Sequence, residues 1–434
     1  MPLKVKQQMG LYLADAIVLL GTLFATLTVR FGNSWPRSFT DYLSGFLIAT
    51  CIHIAIYYFG ELYEPLPRLG ARALLPRVSG ITGVAILVDA SLALATGYYL
   101  MPRGNLILWG FIASIGITLN RRMLRQLLIS VHGEPRVLLA GKYEDILLAS
   151  RHLETPETEI KLVGECTNIL TLAESVQNAN ATHVLLMSPG GLEAIYPQIL
   201  GELESNGIGV FQRIGASDTL MGLKRSRQIA GMPFTAIQTH TLTNAKARFK
   251  RLIELTYLLI AFLPILFLAC LVGVYVRFTA GRNIIYQQKR IGKYGTSFVM
   301  LKFRTMPIDA EKNTGVVKAE IGDNRIIPKL EWVRKTRLDE IPQFLNVLKG
   351  EMSIIGPRPE RPDLTAKYEM EIPGYGRRHD LPPGITGLAQ VKGRYHTDPS
   401  YKLGHDLQYL VNWSPILDIQ IIFQTIWIVL ARRL

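Results

Sequence analysis

The sequence predicts a membrane α plus α/β architecture. It comprises a four-helix transmembrane bundle over residues 1–130, a Rossmann-like cytosolic domain over 131–243, and an α/β-poor third unit over 244–434 entered through a Pro-broken membrane helix. Three observations predict this. Hydrophobic residues make up 49% of the 434 and mean hydropathy is +0.21, which is high for a soluble chain. Four apolar runs crowd the first third. Short apolar strands alternate with helical stretches in the middle third, the pattern of a parallel α/β sheet.

The first three runs are Leu11–Val29, interrupted by Asp15, Tyr42–Phe59, interrupted by His53, and Val78–Leu100, interrupted by Asp89. Each is close to the ~20 residues that cross hydrocarbon. Leu106–Leu119 is shorter and needs its flanks to do so. Basic residues gather at Lys4 and Lys6, at Arg68, Arg72 and Arg77, and at Arg121, Arg122 and Arg125. The alternate loops carry only Arg30, Arg37 and Arg103. This asymmetry predicts a cytoplasmic N-terminus, four crossings and a return to the cytoplasm. No small-residue cleavage site follows the first run, so that helix is expected to stay. Asp15, His53 and Asp89 are read as helix-end or inter-helix polar pairing in preference to a functional cluster. Cys51, Cys166 and Cys270 show no CxxC or CxxH spacing, which argues against a disulfide framework or a zinc site.

In the middle third, Arg136–Ala140 reads as a strand, Tyr143–Leu153 as a helix and Thr182–Met187 as a second strand ending at Ser188-Pro189-Gly190-Gly191. Ile195–Glu204 reads as a helix and Gly207–Gln212 as a third strand. After the first strand the chain runs Gly141-Lys142-Tyr143-Glu144-Asp145, so the glycine fingerprint of a dinucleotide site is missing. A structural or regulatory domain is expected.

The third unit opens with Leu252–Val276, apolar except for Glu254 and carrying Pro264 near its centre. Lys246, Arg248, Lys250 and Arg251 precede it, and Arg277 and Arg282 follow. Basic residues on both flanks disfavour an outside flank, and a central proline removes a helix hydrogen bond. A helix–break–helix that dips into one leaflet is therefore expected over 250–277. A fifth span would place everything after Arg277 outside.

The strand Phe298–Phe303 predicts Lys302 and Arg304 on one face, a phosphate clamp in outline, with a solvated strand face the plainer reading when the strand is taken alone. In Leu338-Asp339-Glu340-Ile341-Pro342-Gln343, Pro342 suits a first helical turn. That puts a helix start near Asp339 and two carboxylates at its N-terminus. Simple capping by Asp339 is the plainer alternative, weakened by Arg334, Lys335 and Arg337 just upstream. Pro357-Arg358-Pro359 is a stiff loop presenting one arginine. Asp406, Tyr409 and Asp418 precede an apolar helix, Ile419–Leu430, backed by Arg432 and Arg433 and read as docking on a membrane surface. The net charge of +14 fits membrane flanks and anionic ligands. With no nucleic-acid motif in sight, nucleic acid is not an expected partner.

Lys302-Phe303-Arg304-Thr305-Met306, the Asp339-Glu340 stretch, Asn346-Val347-Leu348-Lys349-Gly350, Met352 to Pro359 and Pro383-Gly384-Ile385-Thr386-Gly387 occur in this order. From about Lys250 to the C-terminus the chain closely resembles the bacterial sugar transferases, which are monotopic polyprenyl-phosphate sugar-1-phosphate transferases. As a whole it resembles their large form. The resemblance implies that Asp339 attacks the β-phosphate of a UDP-sugar, UMP leaves, and polyprenyl phosphate takes the sugar phosphate from Asp339. It implies Glu340 as a Mg²⁺ ligand, and Asp406 and Asp418 are kept as further candidate ligands. It implies Lys302, Arg304, Arg334, Gln343, Pro357 and Arg358 as substrate-binding residues and Pro264 as the break of a re-entrant helix. A bacterial inner-membrane location, a cytoplasmic catalytic unit, contact with membrane lipids, a role at the first membrane step of exopolysaccharide, O-antigen or capsule synthesis, and a homodimer are further expectations. Arg282-Asn283-Ile284-Ile285-Tyr286, Asp323 to Pro328 and Glu254 depart from the family pattern and leave the sugar open. The rival expectation is a non-catalytic scaffold or regulator of polysaccharide assembly.

Overall fold

The computed structural model describes residues 5–36, 38–63, 69, 74–97, 103–153, 160–188, 190–215, 218, 226–229, 232–237, 242–308, 310, 325–393 and 398–431. Lys4, Arg37, Arg68, Arg72, Pro189, Asp323, Asn324, Arg432 and Arg433 lie outside them, as do the side chains of Lys6 and Arg103. The chain divides into two compact units, Met1–Ala245 and Lys246–Leu434.

The apolar runs of the first unit form α1 (Val5–Phe31), α2 (Phe39–Phe59), α3 (Leu74–Thr96) and α4 (Arg103–His132). Leu19, Leu23 and Leu27 repeat every fourth residue along α1 and pack with Phe46, Tyr57, Trp109 and Ile117. The interrupting polar residues face inward and pair. Asp15 accepts hydrogen bonds from Asn120 Nδ2 at 2.7 Å and Arg121 Nη2 at 2.5 Å. His53 Nδ1 lies 3.3 Å from Asp89 Oδ2, and Trp109 Nε1 donates to Thr22 at 3.1 Å. Inter-helix hydrogen bonding thus holds for Asp15, whereas His53 Nδ1 bonds the Ala49 carbonyl of its own helix at 3.0 Å and neither Asp89 oxygen has a hydrogen-bond partner among the described residues. Met9–Phe31, Thr40–Phe59, Leu74–Thr96 and Asn244–Ala280 are long and apolar enough to cross a membrane, and α4 is not among them. Its apolar run ends at Asn120 and the helix continues through Arg121, Arg122 and Arg125.

A six-stranded sheet follows in the order β2-β1-β3-β4-β6-β5. β1 (Arg136–Ala140), β2 (Lys161–Cys166), β3 (His183–Leu186) and β4 (Gly209–Arg213) are parallel. β5 (Ser226–Ile229) and β6 (Met232–Ala236) add an antiparallel edge. α5 (Tyr143–Leu153) and α6 (Leu172–Asn178) connect the parallel strands. The helix expected at Ile195–Glu204 is two, α7 (Gly191–Ile195) and α8 (Gln198–Ser205), interrupted at Tyr196-Pro197. The turn after β1 is filled from within. Ser188 Oγ accepts from Lys142 N at 2.9 Å and donates to Asp145 at 3.1 Å, and Asp145 pairs with Arg213 at 3.2 Å.

The second unit holds α9 (Asn244–Ala280), the hairpin β7 (Ile285–Ile291)–β8 (Ser297–Phe303), α10 (Glu331–Lys335), α11 (Gln343–Lys349), β9 (Ser353–Ile355), α12 (Pro362–Glu371), β10 (Gly384–Thr386), α13 (Leu388–Lys392), α14 (Pro399–Asn412) and α15 (Pro415–Leu430). The helix–break–helix expectation is corrected. α9 runs as one helix of 37 residues with Pro264 inside it. Proline removes one intrahelical donor and leaves the rest of the hydrogen-bond ladder able to continue. From Lys250 to Ala280 the helix touches the same unit. Leu258 packs with Phe298, Met300 and Val347, and Val272 and Val276 pack with Phe303, Leu330 and Val333. Its other side presents Leu259, Ile260, Leu263, Phe267 and Phe278, each at least 65% exposed, an apolar stripe too large for water.

Candidate active site

The site begins with strand β8. Phe298 and Met300 are buried on one face, and Lys302 continues that face inward. Across from it the chain enters a short 3₁₀ turn, Leu338–Glu340, through Arg337, whose backbone is left-handed at φ +58°. That turn places Glu340 beneath Lys302, with Nζ 2.8 Å from Oε1. Arg358 Nη2 approaches the same oxygen at 3.3 Å and Arg337 Nη1 at 3.4 Å. Glu340 Oε1 therefore lies among three cations.

Asp339 is its buried neighbour, 7% exposed, and among the described residues its Oδ1 accepts no hydrogen bond. The two acids titrate apart. Burial, and then the charge of Glu340, push the Asp339 carboxyl up to about 6, against the pull of Lys302, Arg334 and Arg337. Burial also works to raise Glu340, but Lys302, Arg358 and Arg337 outweigh it and hold that carboxyl well below the usual range. Burial lowers Lys302, opposed by Glu340. Neighbouring acids pushed in opposite directions are a signature of chemistry.

The dyad does not open a helix. Pro342 caps α11, which begins at Gln343, so the acids precede it in the 3₁₀ turn and cations, not a helix dipole, neutralise Glu340. Gln343 lines the pocket with Arg290, Lys302, Glu340, Arg358 and Gly384. The wall at Gly384 requires glycine. A Cβ there would lie 2.1 Å from Gly356 N, and one at Gly356 would lie 2.5 Å from Pro382 O. This close approach lets β9 and β10 pair beside the Pro357-Arg358-Pro359 loop, whose prolines are buried.

Other expected site residues lie elsewhere or act differently. Arg304 does not share a clamp with Lys302. Strand alternation ends at Phe303, Arg304 is buried, and its Nη2 donates to the Ala280 carbonyl at the end of α9. Arg334 sits in the last turn of α10 and acts on Asp339 through charge. Asp406 pairs with Arg378 at 2.8 Å. Asp418 accepts from Tyr409 OH at 2.7 Å and Trp413 Nε1 at 3.0 Å and faces Lys250. Protein partners thus engage both carboxylates, and neither is joined to the dyad by any contact among the described residues. Among the described residues, no group of three or more His, Cys, Asp or Glu side chains able to hold a metal converges there.

Sequence reasoning read Arg337 as positive charge beside the acids, and it missed Asn346, Arg290 and Arg378. Asn346 carried a signal, a polar amide on the apolar helix Phe344–Leu348, where the structure buries it fully. Arg290 and Arg378 carried none, because their roles depend on contacts remote in sequence or on backbone geometry.

Residues 245–432 match the bacterial sugar transferase family. The Bacillus subtilis sugar transferase EpsL is 36% identical over 191 residues, 42% of this chain and 88% of that one. The chain belongs to the bacterial sugar transferase family. The UDP-glucose:undecaprenyl-phosphate glucose-1-phosphate transferase of Klebsiella pneumoniae is 37% identical over 211 residues, 47% of this chain and 44% of that one. The UDP-N-acetylgalactosamine-undecaprenyl-phosphate N-acetylgalactosaminephosphotransferase of Aeromonas hydrophila is 40% identical over 162 residues, 37% of this chain and 38% of that one. The match spans under half the length of these two relatives.

Proposed function

We propose that this chain transfers a hexose-1-phosphate from a UDP-sugar to undecaprenyl phosphate at the cytoplasmic face of a bacterial inner membrane, in polysaccharide synthesis. The observation that carries the reading is Asp339, a buried carboxylate with an unbonded oxygen beside a second acid held among three cations. A nucleophile needs an oxygen that no hydrogen bond already occupies, and a diphosphate needs those cations. Asp339 Oδ1 forms a bond to the β-phosphorus. The bond from that phosphorus to the oxygen bridging to the α-phosphate breaks, and UMP leaves with the electron pair. A phosphate oxygen of the lipid then attacks the same phosphorus and Asp339 departs as carboxylate. Lys302 and Arg358 compensate the charge of the diphosphate.

Adjacent carboxylates facing a phosphate ligand suit Mg²⁺, which commonly takes one or two carboxylates and completes its shell with substrate phosphates and water. Glu340 would hold it, and when bound the ion would neutralise charge on the substrate diphosphate as UMP departs. The apolar stripe of α9 and the exposed Ile416, Phe423, Trp427 and Leu430 of α15 support docking on one leaflet.

The test is UMP release from a panel of UDP-sugars with undecaprenyl phosphate in detergent. Mg²⁺-dependent release that Asp339→Asn abolishes is expected. Full activity in Asp339→Ala would remove the nucleophile, and no release across the panel would favour the scaffold reading.

A further inference from the structure

Arg358 is held from behind. Its side chain faces Glu340, while its backbone carbonyl accepts a hydrogen bond from Arg378 Nη2 at 3.0 Å. Arg378 is 4% exposed, pairs with Asp406 at 2.8 Å and donates through Nη1 to Tyr375 OH. The next carbonyl, of Pro359, accepts from Arg290 Nη1 at 3.0 Å. Asp406 lies one helical turn from Tyr409 on α14, and Tyr409 OH donates to the Ile355 carbonyl at 3.2 Å. One helix thus supplies Tyr409, which grips the strand entering the loop, and Asp406, which holds the arginine that grips the carbonyl at its tip.

A buried ion pair gives little net stability, because desolvation offsets its attraction. Arg378 does more than pair with Asp406. A guanidinium can bond a carboxylate and a carbonyl together in fixed geometry, which a lysine cannot reproduce. With φ fixed at Pro357 and Pro359, few backbone freedoms remain in this stretch, and a bond to the carbonyl between them restrains the peptide that follows Arg358.

We propose that the buried Arg378–Asp406 pair is a positioning device that fixes Arg358 through its backbone carbonyl and so aims the guanidinium at the anion-binding face of the pocket. The proposal rests on reading Arg358 as a ligand of the substrate diphosphate. Arg378 and Asp406 are positioning residues and touch no substrate. Loss of the Asp406 charge frees Arg378 from its anchor, the Arg358 carbonyl loses its donor, and the guanidinium samples more positions.

Asp406→Asn in the full chain tests this with two readouts. In the UMP assay it raises KM for the UDP-sugar about tenfold, leaves kcat within about threefold, and changes KM less than about twofold when Arg358 is already Ala. A pair serving stability alone would lower the active fraction, hence kcat, and act equally in both backgrounds. In amide hydrogen exchange the peptide 353–361 exchanges faster in Asp406→Asn while 285–303 does not. Unchanged exchange in 353–361, or equal KM effects with and without Arg358, overturns the proposal. If Asp406→Asn fails to fold, Arg378→Lys is read in the same two assays. A wild-type protein that releases no UMP from any UDP-sugar defeats the transferase reading, and the exchange measurement still decides the positioning claim.

Discussion

Asn346 is joined to Leu301 across the open edge of β8: its Oδ1 accepts the Leu301 N–H at 3.1 Å, while its Nδ2 donates to the Val299 carbonyl at 2.8 Å and to Glu351 at 2.7 Å. The β7–β8 sheet has two strands, so these backbone groups have no third strand to meet. The amide of Asn346 takes its place and locks α11 to the strand that delivers Lys302. Asn346→Leu keeps the volume and leaves a donor and an acceptor without this partner. It is expected to destabilise the second unit by about 2–4 kcal/mol, read as a lowered thermal midpoint in detergent. A midpoint within error of wild type would show that the edge is satisfied some other way.

The raised carboxyl of Asp339 makes a prediction about stability and pH. Its folded value, about 6, lies above the value of an exposed aspartate. The protonated form is therefore the one the fold favours. That contribution is complete below the unfolded value, near ~4, and is lost as pH rises through about 6. At pH 7.5, without divalent cation, Asp339→Asn is expected to be more stable than wild type by about 1–3 kcal/mol. The difference shrinks as pH falls from 6 toward 4. A variant no more stable than wild type at pH 7.5 would mean that the surrounding cations already compensate the charge.

Lys302→Met removes the charge nearest to Glu340 without removing bulk. With that cation 2.8 Å away gone, the Glu340 carboxyl rises and the pocket loses a charge that a diphosphate would meet. Losing one preorganised charge from a reacting site lowers rate about 10²–10³-fold, so kcat/KM for UMP release should drop by that range. Lys302→Arg should recover only part of it, because a planar fork does not occupy the place of a compact ammonium. A kcat/KM within about threefold of wild type for Lys302→Met would remove Lys302 from the site.

Legibility in the sequence followed local chemistry. Arg136–Ala140 and Tyr143–Leu153 were readable because a buried apolar strand, a glycine and an amphipathic run lie in one stretch. β2, Lys161–Cys166, was not, because an edge strand is mostly half-exposed and its Lys161, Gly164 and Glu165 break the apolar pattern. The acids at 339 and 340 were legible as a pair, but their placement depended on a left-handed Arg337 that no residue preference announces. Lys302 and Arg304 were read on one face because alternation was carried past Phe303, where the strand ends. Asp406 looked like a spare carboxylate. Its partner Arg378 lies 28 positions earlier, beyond the reach of any local pattern.

The packing of α9 argues for its topology and can be tested. Near its start, Arg251 Nη1 donates to Val347 O at 2.6 Å and Lys250 Nζ lies 2.6 Å from Glu254. Near its end, Tyr275 OH donates to Lys329 O at 2.9 Å and Arg304 meets the Ala280 carbonyl. A straight helix from Lys250 to Ala280 would be roughly 45 Å long, against ~30 Å of hydrocarbon. If α9 spanned the bilayer, the charged unit packed along its whole length would have to enter the hydrocarbon, where each unpaired charge is costly. Both flanks on one side avoid this, with the apolar stripe alone in lipid. Asn244 and Asn283 are exposed and bracket the helix. With Cys51, Cys166 and Cys270 replaced, cysteines at Asn244 and Asn283 should react with a membrane-impermeant maleimide from the same side in sealed inverted vesicles, and neither should react in intact spheroplasts. Labelling of Asn283→Cys in intact spheroplasts with Asn244→Cys protected would establish a crossing and place the Asp339 site outside the cytoplasm, away from any UDP-sugar.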